Sequence, residues 1–389
     1  MGLEFQSIIL FNKHLCNMQV IWIKFLELNN RNNSLNLFRL IFASFVLIRH
    51  SFVVFGADIN SYMPHCLDVV MSFAVPFFFY ISGYLITASA IKNDFKTFLK
   101  KRLARIYPAY FVCILLIVIL FAPLAFTIIN NGSFDLISYL NLNPSPARFF
   151  IYALPLNLFE NNIGTLLQAI NADNWNVSIW TLIFEFGCYI AVAIVMMVLM
   201  KSRIRKNHYP KMLFVIYLIL GIAYTLMPDS SSKALIYFKL GLYLFSMFFA
   251  GGFVYLIKDK LVFSYKLLAL AVIYCAVCMA FFSRNAAGIY IAIPMTYILL
   301  VLSVKIKSPR FIKENDLSYG TYIYAWPVQC LIAILITFNN INITVWEYLV
   351  CVWILTTVFA AFSWFIIEKP ILKKVRWIGK YLFRENSNK

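Results

Sequence analysis

Charged residues are scarce in this chain of 389 residues, where they make up 13% of the sequence against 62% for hydrophobic residues. A soluble domain usually carries about a quarter charged residues. This shortage excludes a soluble globular protein. It indicates an all-α polytopic membrane protein whose soluble segments are too short to fold as separate domains.

Residues that commonly bind metals are also few and scattered. The chain has eight cysteines and four histidines. The only CxxC pair, Cys275 and Cys278, lies inside an apolar run with no second pair and no nearby histidine. Cysteines in such runs usually behave as small hydrophobic residues. We therefore predict neither a metal site nor a framework of disulfides.

What the sequence does contain is a series of apolar runs, most of them close to the ~20 residues that a membrane-spanning helix needs. We predict about ten spans, of which the two short runs 212–228 and 267–283 have the weakest pattern. The ten runs are residues 36–55, 68–90, 108–129, 179–200, 212–228, 236–257, 267–283, 287–304, 318–338 and 346–367.

The basic residues, which outnumber the acidic ones by 34 to 16, collect on one side of these spans. With a cytoplasmic N-terminus, 28 of the 34 fall in cytoplasmic segments, four fall in outer segments and two lie within the first span. This asymmetry predicts that both termini are cytoplasmic. It also attributes the net charge of +18 to contact with anionic lipid of the bilayer, not to nucleic-acid binding.

Three regions are predicted along the chain. Residues 1–35 form a cytoplasmic N-terminal extension with an amphipathic pattern, and residues 371–389 form a basic cytoplasmic tail. Between them, residues 36–370 form the ten-helix membrane domain. Its long outer loop, 130–178, includes an apolar stretch at 148–159 that is too short to span a bilayer. No internal repeat is strong enough to predict an inverted-repeat transporter.

The first span carries three ionisable residues, Arg39, Arg49 and His50. Such residues inside a span are costly and usually functional. At 100° per residue, Arg39 and His50 project from one helical face, about 16 Å apart along the axis. A neutral imidazole is the usual general base near pH 7, so His50 is a candidate catalytic base. The alternatives are a structural histidine and, for Arg39, contact with inner lipid headgroups.

The basic stretch KNDFKTFLKKRLARIYPAY at residues 92–110 places Arg102 and Arg105 three residues apart. We predict a short helix that Pro108 ends, with both guanidiniums on one face. Two guanidiniums so arranged suit bidentate contacts with phosphate groups. The alternative is an ordinary basic cytoplasmic loop.

The fourth span opens with NWNVSIWTLIFEFGCYI, which places Glu185 at about the predicted depth of His50. A carboxylate there can orient an imidazole and stabilise its protonated form. The alternatives are a pair with Arg49 or protonation through burial. Thr181 and Tyr189 share the face of Glu185 and are candidate donors to it. Arg49 has two interpretations, as a partner of Glu185 or as a contact with outer lipid headgroups.

Six stretches together resemble the membrane-bound acyltransferase-3 family, which includes bacterial sugar and peptidoglycan O-acyltransferases. They occur in family order over about residues 36–370: the Arg-x10-His pattern of the first span, FFFYISGYLI, RLARIYPAY, IWTLIFEFGCY, SYGTYIYAWP and IEKP. The resemblance implies ten helices. It also implies transfer of an acyl group, usually acetyl, from cytoplasmic acyl-CoA to a hydroxyl of an outward-facing glycan or lipid-linked sugar.

The resemblance further implies roles for single residues. His50 would be the catalytic base, supported by Glu185. The implied donor-binding residues are Arg39, Arg102, Arg105 and Tyr107. The implied acceptor-binding residues are Trp180, Tyr189 and Ser82.

This sequence departs from the family in two places. Many members carry a histidine just before Trp-Pro in the ninth span, where this chain has Ala325, so we expect catalysis without a histidine there. Some members carry a C-terminal esterase-like domain, whereas this chain ends about 20 residues after IEKP. We expect either direct transfer to the acceptor or a separate partner.

The predicted function is therefore an O-acetyltransferase of the bacterial inner membrane, with acetyl-CoA as co-substrate and no metal. The predicted acceptor is a cell-surface polysaccharide, such as O-antigen, or its polyprenyl-linked precursor. Two alternatives from other classes are a lipid-linked sugar flippase or exporter and a glycan polymerase. The sugar, the hydroxyl, the acyl chain and the oligomeric state stay open at this stage.

Overall fold

A computed structural model describes residues 33–156 and 162–375 of the chain. Residues 1–32 of the predicted N-terminal extension and residues 376–389 of the predicted basic tail lie outside the described residues. The described residues are mainly helical and include no β-strand.

The first half of the described chain forms eight helices, which we number in chain order. They are α1 Leu35–Phe55, α2 His65–Ser72, α3 Ala74–Lys92, α4 Phe95–Leu116, α5 Ala122–Ile129, α6 Leu136–Leu140, α7 Pro146–Ala153 and α8 Ile179–Lys201. A π-helical segment, Ile117–Phe121, joins α4 to α5.

The second half of the described chain forms eight more helices. They are α9 Tyr209–Leu226, α10 Lys233–Ile257, α11 Tyr265–Phe281, α12 Arg284–Tyr290, α13 Ala292–Lys305, α14 Arg310–Glu314, α15 Ser318–Phe338 and α16 Val345–Phe362. A π-helical segment, Ser363–Glu368, continues α16.

All ten predicted apolar runs lie in helices. Among the described residues, eight helices are apolar and long enough to cross a membrane, and the pair α12–α13, bent by 69°, makes a ninth. The one remaining run, 267–283, corresponds to α11, which is apolar but has only 17 residues. The prediction of an all-α multi-pass membrane fold is confirmed. The side on which the termini lie stays a prediction.

The basic stretch before the third span is part of a long helix. Asp94 caps the first turn of α4 at Phe95, and the helix then continues through Pro108. The prediction that Pro108 ends a short helix is wrong. A proline costs a membrane helix one backbone hydrogen bond, whereas a break in lipid would expose several backbone groups. Arg102 and Arg105 therefore lie on the first turns of a spanning helix.

The predicted loop 130–178 has structure of its own. It contains α6 and α7, and the apolar stretch at 148–159 lies partly in α7, while residues 157–161 fall outside the described part of the chain. The hydroxyl of Tyr110 in α4 donates to the carbonyl of Ala153. The Tyr107 hydroxyl donates to the carbonyl of Leu154 at 2.5 Å. These bonds hold the loop against α4.

The described residues form two compact units. Unit 1 comprises residues 33–38, 76–88 and 203–314, and includes most of α3 together with α9 to α14. Inside it, α3 and α10 lie backbone to backbone, because a Cβ on Gly83 would be 1.9 Å from the carbonyl oxygen of Phe248. The bend between α12 and α13 is supported by the hydroxyl of Tyr80, which donates to the carbonyl of Gly288 at 2.6 Å.

Unit 2 comprises residues 39–75, 89–202 and 315–375, apart from the gap at 157–161. Its core element is α15, of which sixteen of 21 residues are buried. Gly320 allows α15 to pack closely on α16, since a Cβ there would lie 2.8 Å from the Cα of Ala360. A buried amide, Asn176, donates to the carbonyl of Ile323 at 2.9 Å and ties the segment before α8 to α15.

Replacing Gly83 with alanine should destabilise unit 1, because the new methyl group would overlap a backbone carbonyl that side-chain rotation cannot move. Overpacking of a buried site costs about 1–3 kcal/mol. We expect the apparent Tm of the detergent-solubilised protein to fall by about 2–8 °C. The matched control is Ala276→Val on an exposed position of α11, which should leave the Tm unchanged. Equal Tm values for Gly83→Ala and the unsubstituted protein would contradict the close packing.

Candidate functional site

The ionic part of the candidate site centres on one carboxylate, Asp316, which lies just before α15. Its Oδ2 atom is 2.6 Å from Nη1 of Arg39 and 2.5 Å from Nη2 of Arg105. Its Oδ1 atom accepts from the hydroxyl of Ser318 at 2.5 Å. One carboxylate therefore links the start of the first span to α4 and α15.

The charge of Asp316 is stabilised by these neighbours. Burial by itself would raise the pKa of this carboxyl, but the guanidiniums of Arg105 and Arg39 outweigh burial and lower the pKa to about 2. The side chain is therefore ionised near neutral pH. The sequence did not single out Asp316; its signal was the rarity of acidic residues and its position two residues before a span.

A second carboxylate, Glu368, completes the neutralisation of Arg105. Its Oε2 atom is 2.9 Å from Nη1 of Arg105, and its Oε1 atom accepts from the hydroxyl of Ser363 at 3.0 Å. The residue is only 1% exposed. The guanidinium of Arg105 also lies 5.7 Å from the ring centroid of Tyr319 and 5.8 Å from that of Trp364. Arg105 therefore has two carboxylate partners and two aromatic neighbours.

Arg102 differs from these two arginines in its partners. Its guanidinium lies near the rings of Phe98 and Tyr189, at 5.8 and 5.9 Å from their centroids. No carboxylate pairs with it among the described residues, and its buried Nε atom has no hydrogen-bond acceptor there. Of the three predicted phosphate-binding arginines, Arg102 is thus the one that forms no ion pair in the described part of the chain.

Tyr189 contacts both Arg102 and Glu185. Its ring lies under the guanidinium of Arg102, and its hydroxyl donates to the Oε1 atom of Glu185. The spacing of four residues on α8 brings the two side chains together, as the sequence predicted for Tyr189. The predicted donor Thr181 instead directs its hydroxyl to the carbonyl of Ser178 at 3.1 Å. Among the described residues Glu185 has no hydrogen bond to His50, so its support of that imidazole stays a prediction.

His50 lies against Trp326 of α15, with the two ring centroids 5.0 Å apart and the rings perpendicular. The indole of Trp326 donates to the backbone carbonyl of Asn174 at 2.7 Å, which fixes its orientation. The Nδ1 atom of His50 is buried and has no hydrogen-bond partner among the described residues. Sequence reasoning noted the Trp-Pro pair as a family feature and missed the indole's contact with the histidine.

An amide next to this pair also has an unused oxygen. Gln329 is fully buried, and its Nε2 atom donates to the carbonyl of Leu47 at 2.8 Å and to the hydroxyl of Ser51 at 2.9 Å. Both acceptors flank His50 on α1. The Oε1 atom of Gln329 has no partner in the described part of the chain.

One face of α15 runs along all of these groups. Tyr319 lies against Arg105, the hydroxyl of Tyr322 is 2.6 Å from that of Thr181, and Trp326 contacts His50. Their spacing of three and four residues places Tyr319, Tyr322 and Trp326 in one row, about 10 Å long. The ionic cluster and the imidazole are therefore the two ends of one row inside unit 2.

Four residues that the sequence singled out have other contacts or surroundings. Arg49 forms an ion pair with Asp68 at 2.7 Å, which joins α1 to α2. This pair replaces both predicted partners of Arg49, which were Glu185 and the outer lipid headgroups. Trp180 is half-buried against Phe184. The Tyr107 side chain is 37% exposed, with its hydroxyl held by the loop carbonyl described above. Ser82 belongs to unit 1, where it is buried.

Comparison with known proteins settles the class of this chain. The family model described as "Acyltransferase domain", that of the acyltransferase-3 family, matches residues 32–367. The chain belongs to the acyltransferase-3 family. An "O-acetyl transferase" of Shigella phage Sf6 is 26% identical over 357 residues, which cover 89% of this chain and 97% of the phage protein. No solved structure matched the chain.

Membership of the acyltransferase-3 family confirms the resemblance seen in the six stretches. The protein is a multi-pass membrane O-acyltransferase. The alternatives of a flippase and a polymerase therefore lose their basis. The family match includes both ends of the α15 row.

Replacing Asp316 with asparagine should destabilise this acyltransferase, because Arg39 and Arg105 would lose the carboxylate they share. Removing one partner of a buried ion pair costs about 3–5 kcal/mol. We expect a clear fall in the apparent Tm in detergent. The matched control is Glu314→Gln, two residues earlier, which breaks the exposed pair with Arg310 and should change the Tm little. Similar shifts for the two variants would refute the central role of Asp316.

Proposed function

We propose that this acyltransferase transfers acetyl from cytoplasmic acetyl-CoA to a hydroxyl of a cell-surface polysaccharide or of its lipid-linked precursor, with His50 as general base. One observation carries the proposal: His50, at one end of the α15 row, and Arg102, three residues before the Arg105 that lies at the other end, each have a buried polar atom without a partner in the described chain. Buried polar groups are normally hydrogen-bonded. Two substrates that bind at the two ends would supply the missing partners.

The donor end is proposed at Arg102. An arginine between aromatic rings, with no carboxylate partner, suits a phosphate group of CoA. Arg39 and Arg105 are proposed to contribute positive potential, while Asp316 keeps them in position. An arginine without an ion pair, beside arginines that are paired with carboxylates, suits an anionic acyl donor better than a neutral one.

The acetyl donor is supported by the phage relative, whose name specifies O-acetyl transfer. The proposed location of the protein is the bacterial inner membrane, with the start of α1 and both termini on the cytoplasmic side. The excess of Lys and Arg in that set of loops supports this orientation. Acetyl-CoA would then reach Arg102 from the cytoplasm, and the glycan would reach His50 from the outer side.

The proposed reaction is a direct transfer. The imidazole of His50 takes the proton of the acceptor hydroxyl as its oxygen attacks the thioester carbonyl carbon. The carbon–sulfur bond breaks, and the CoA thiolate leaves and takes the proton back from the imidazolium. Trp326 holds the imidazole ring in place. The unpaired Oε1 atom of Gln329 can accept a hydrogen bond from the acceptor hydroxyl or from the imidazolium. Tyr189, held by Glu185, borders the donor end.

Replacing His50 with alanine should lower acetylation by at least about 10²-fold, since a positioned general base contributes about 10²–10⁴-fold. Acetyl-CoA binding should persist, because the proposed donor contacts lie at the other end of the row. The measurement is O-acetyl content of surface glycan by mass spectrometry in a complemented deletion strain, with protein quantity in the membrane held equal. His65→Ala, an exposed histidine in α2, is the control and should retain activity. Undiminished acetylation by His50→Ala would refute the proposal.

Replacing Arg102 with alanine should weaken binding of acetyl-CoA by about 10- to 100-fold, the effect of losing a hydrogen bond to a charged group. The measurement is equilibrium binding of radiolabelled acetyl-CoA to the solubilised protein. Lys100→Ala removes an exposed positive charge from the same helix and should change the affinity by less than about twofold. Equal losses for both variants would mean that general charge, not a specific contact, holds the donor.

A further inference from the structure

We propose that a cavity at the C-terminal ends of α1 and α15 is the subsite that binds a glycosyl residue of the acceptor, and that Asn171 and Asn342 recognise its hydroxyls. The cavity has a volume of about 270 Å³ and lies entirely within unit 2. This inference rests on the proposed function, because it assigns the place where that function's acceptor binds.

The position of the cavity follows from the spacing of its lining residues. Val54 lines it from α1 and lies four residues after His50, one helical turn further along the same face. Ala333 lines it from α15 and lies seven residues, or two turns, after Trp326. The cavity therefore lies next to the His50–Trp326 pair, on the side away from the ionic cluster.

The chemistry of the lining matches a neutral, polyhydroxylated ligand. Its polar side chains are those of Asn171, Asn342 and Thr337, and none of its lining residues is charged. An amide offers both donors and an acceptor, which is what vicinal sugar hydroxyls require. A phosphate or a CoA would need a cation, which the lining does not supply. The remaining wall is apolar and includes Phe55, which suits the C–H face of a sugar ring.

The size of the cavity supports the same ligand class. At ~30 Å³ per water molecule, 270 Å³ corresponds to about nine waters. That space accommodates a single sugar ring. Asn171 and Asn342 are both exposed, so the cavity opens away from the protein core, as a glycan attached to a longer chain requires.

One loop joins this cavity to the imidazole. Asn171 lies directly over the end of α1, because a Cβ on Gly56 would be 2.6 Å from its amide nitrogen. Gly56 also has φ +81°, which favours glycine, so α1 ends in a turn that leaves room for this amide. Three residues later, the carbonyl of Asn174 holds the indole of Trp326 against His50. A sugar that contacts Asn171 would thus be presented to the catalytic end of the row.

The experiment measures initial rates of acetyl transfer in membrane vesicles. Radiolabelled acetyl-CoA is the donor, and the probe acceptor is the lipid-linked glycan fraction extracted from a deletion strain, at varied concentration. We expect Asn171→Ala and Asn342→Ala each to raise the apparent KM for this fraction about 3- to 10-fold, the effect of losing one neutral hydrogen bond. The KM for acetyl-CoA should not change. Thr337→Trp, which fills the cavity, should raise the acceptor KM further.

The control is Asn141→Ala, an exposed asparagine elsewhere in the same outer loop, which should behave like the unsubstituted protein. Unchanged acceptor KM values in both lining variants and in Thr337→Trp would overturn the subsite. A parallel rise in the KM for acetyl-CoA would overturn it as well, because the effect would then not be specific to the acceptor. If the unsubstituted protein acetylates nothing in the extract, the proposed function itself fails and the subsite falls with it.

Discussion

The site depends on a carboxylate that two arginines share. Asp316 lies between Arg39 and Arg105, and the three side chains come from segments far apart in the sequence. In a low-dielectric interior, burial of either guanidinium without such a partner would cost several kcal/mol, and the two guanidiniums in turn stabilise the ionised carboxylate. These two ion pairs therefore orient the start of α1, the basic helix α4 and the start of α15 with respect to one another.

This neutralisation also separates the arginines by role. Arg105 forms ion pairs with Asp316 and Glu368, whereas Arg102 forms none among the described residues. At the opposite end of the α15 row, the imidazole of His50 is held by an indole and keeps a nitrogen without a partner. An arginine without an ion pair near one end of the row, among the described residues, and an imidazole nitrogen without a partner at the other end are suited to hold two chemically different substrates. That polarity is the basis of the proposed transfer between them.

Much of the fold could be predicted from composition and periodicity, because spanning helices must satisfy their backbone internally and so leave long apolar runs. The place of Arg102 and Arg105 on one face followed from helical spacing, as did the contact between Tyr189 and Glu185. The prediction that Pro108 ends a helix was wrong for the same reason, because a helix in lipid must keep its backbone hydrogen bonds. Rules for helix ends in water overestimate how readily a proline stops a helix that continues into lipid.

By itself, the sequence determined the class of the protein and the number of apolar runs, since these depend on residue type and on local spacing; its choice of catalytic residues stays a prediction. Only the tertiary structure decided which charges neutralise one another. It paired Arg49 with Asp68, brought Asp316 between Arg39 and Arg105, and left Arg102 without an ion pair among the described residues. Those outcomes depend on contacts between residues up to 277 positions apart, and no local pattern specifies which of the few acidic side chains meets which base.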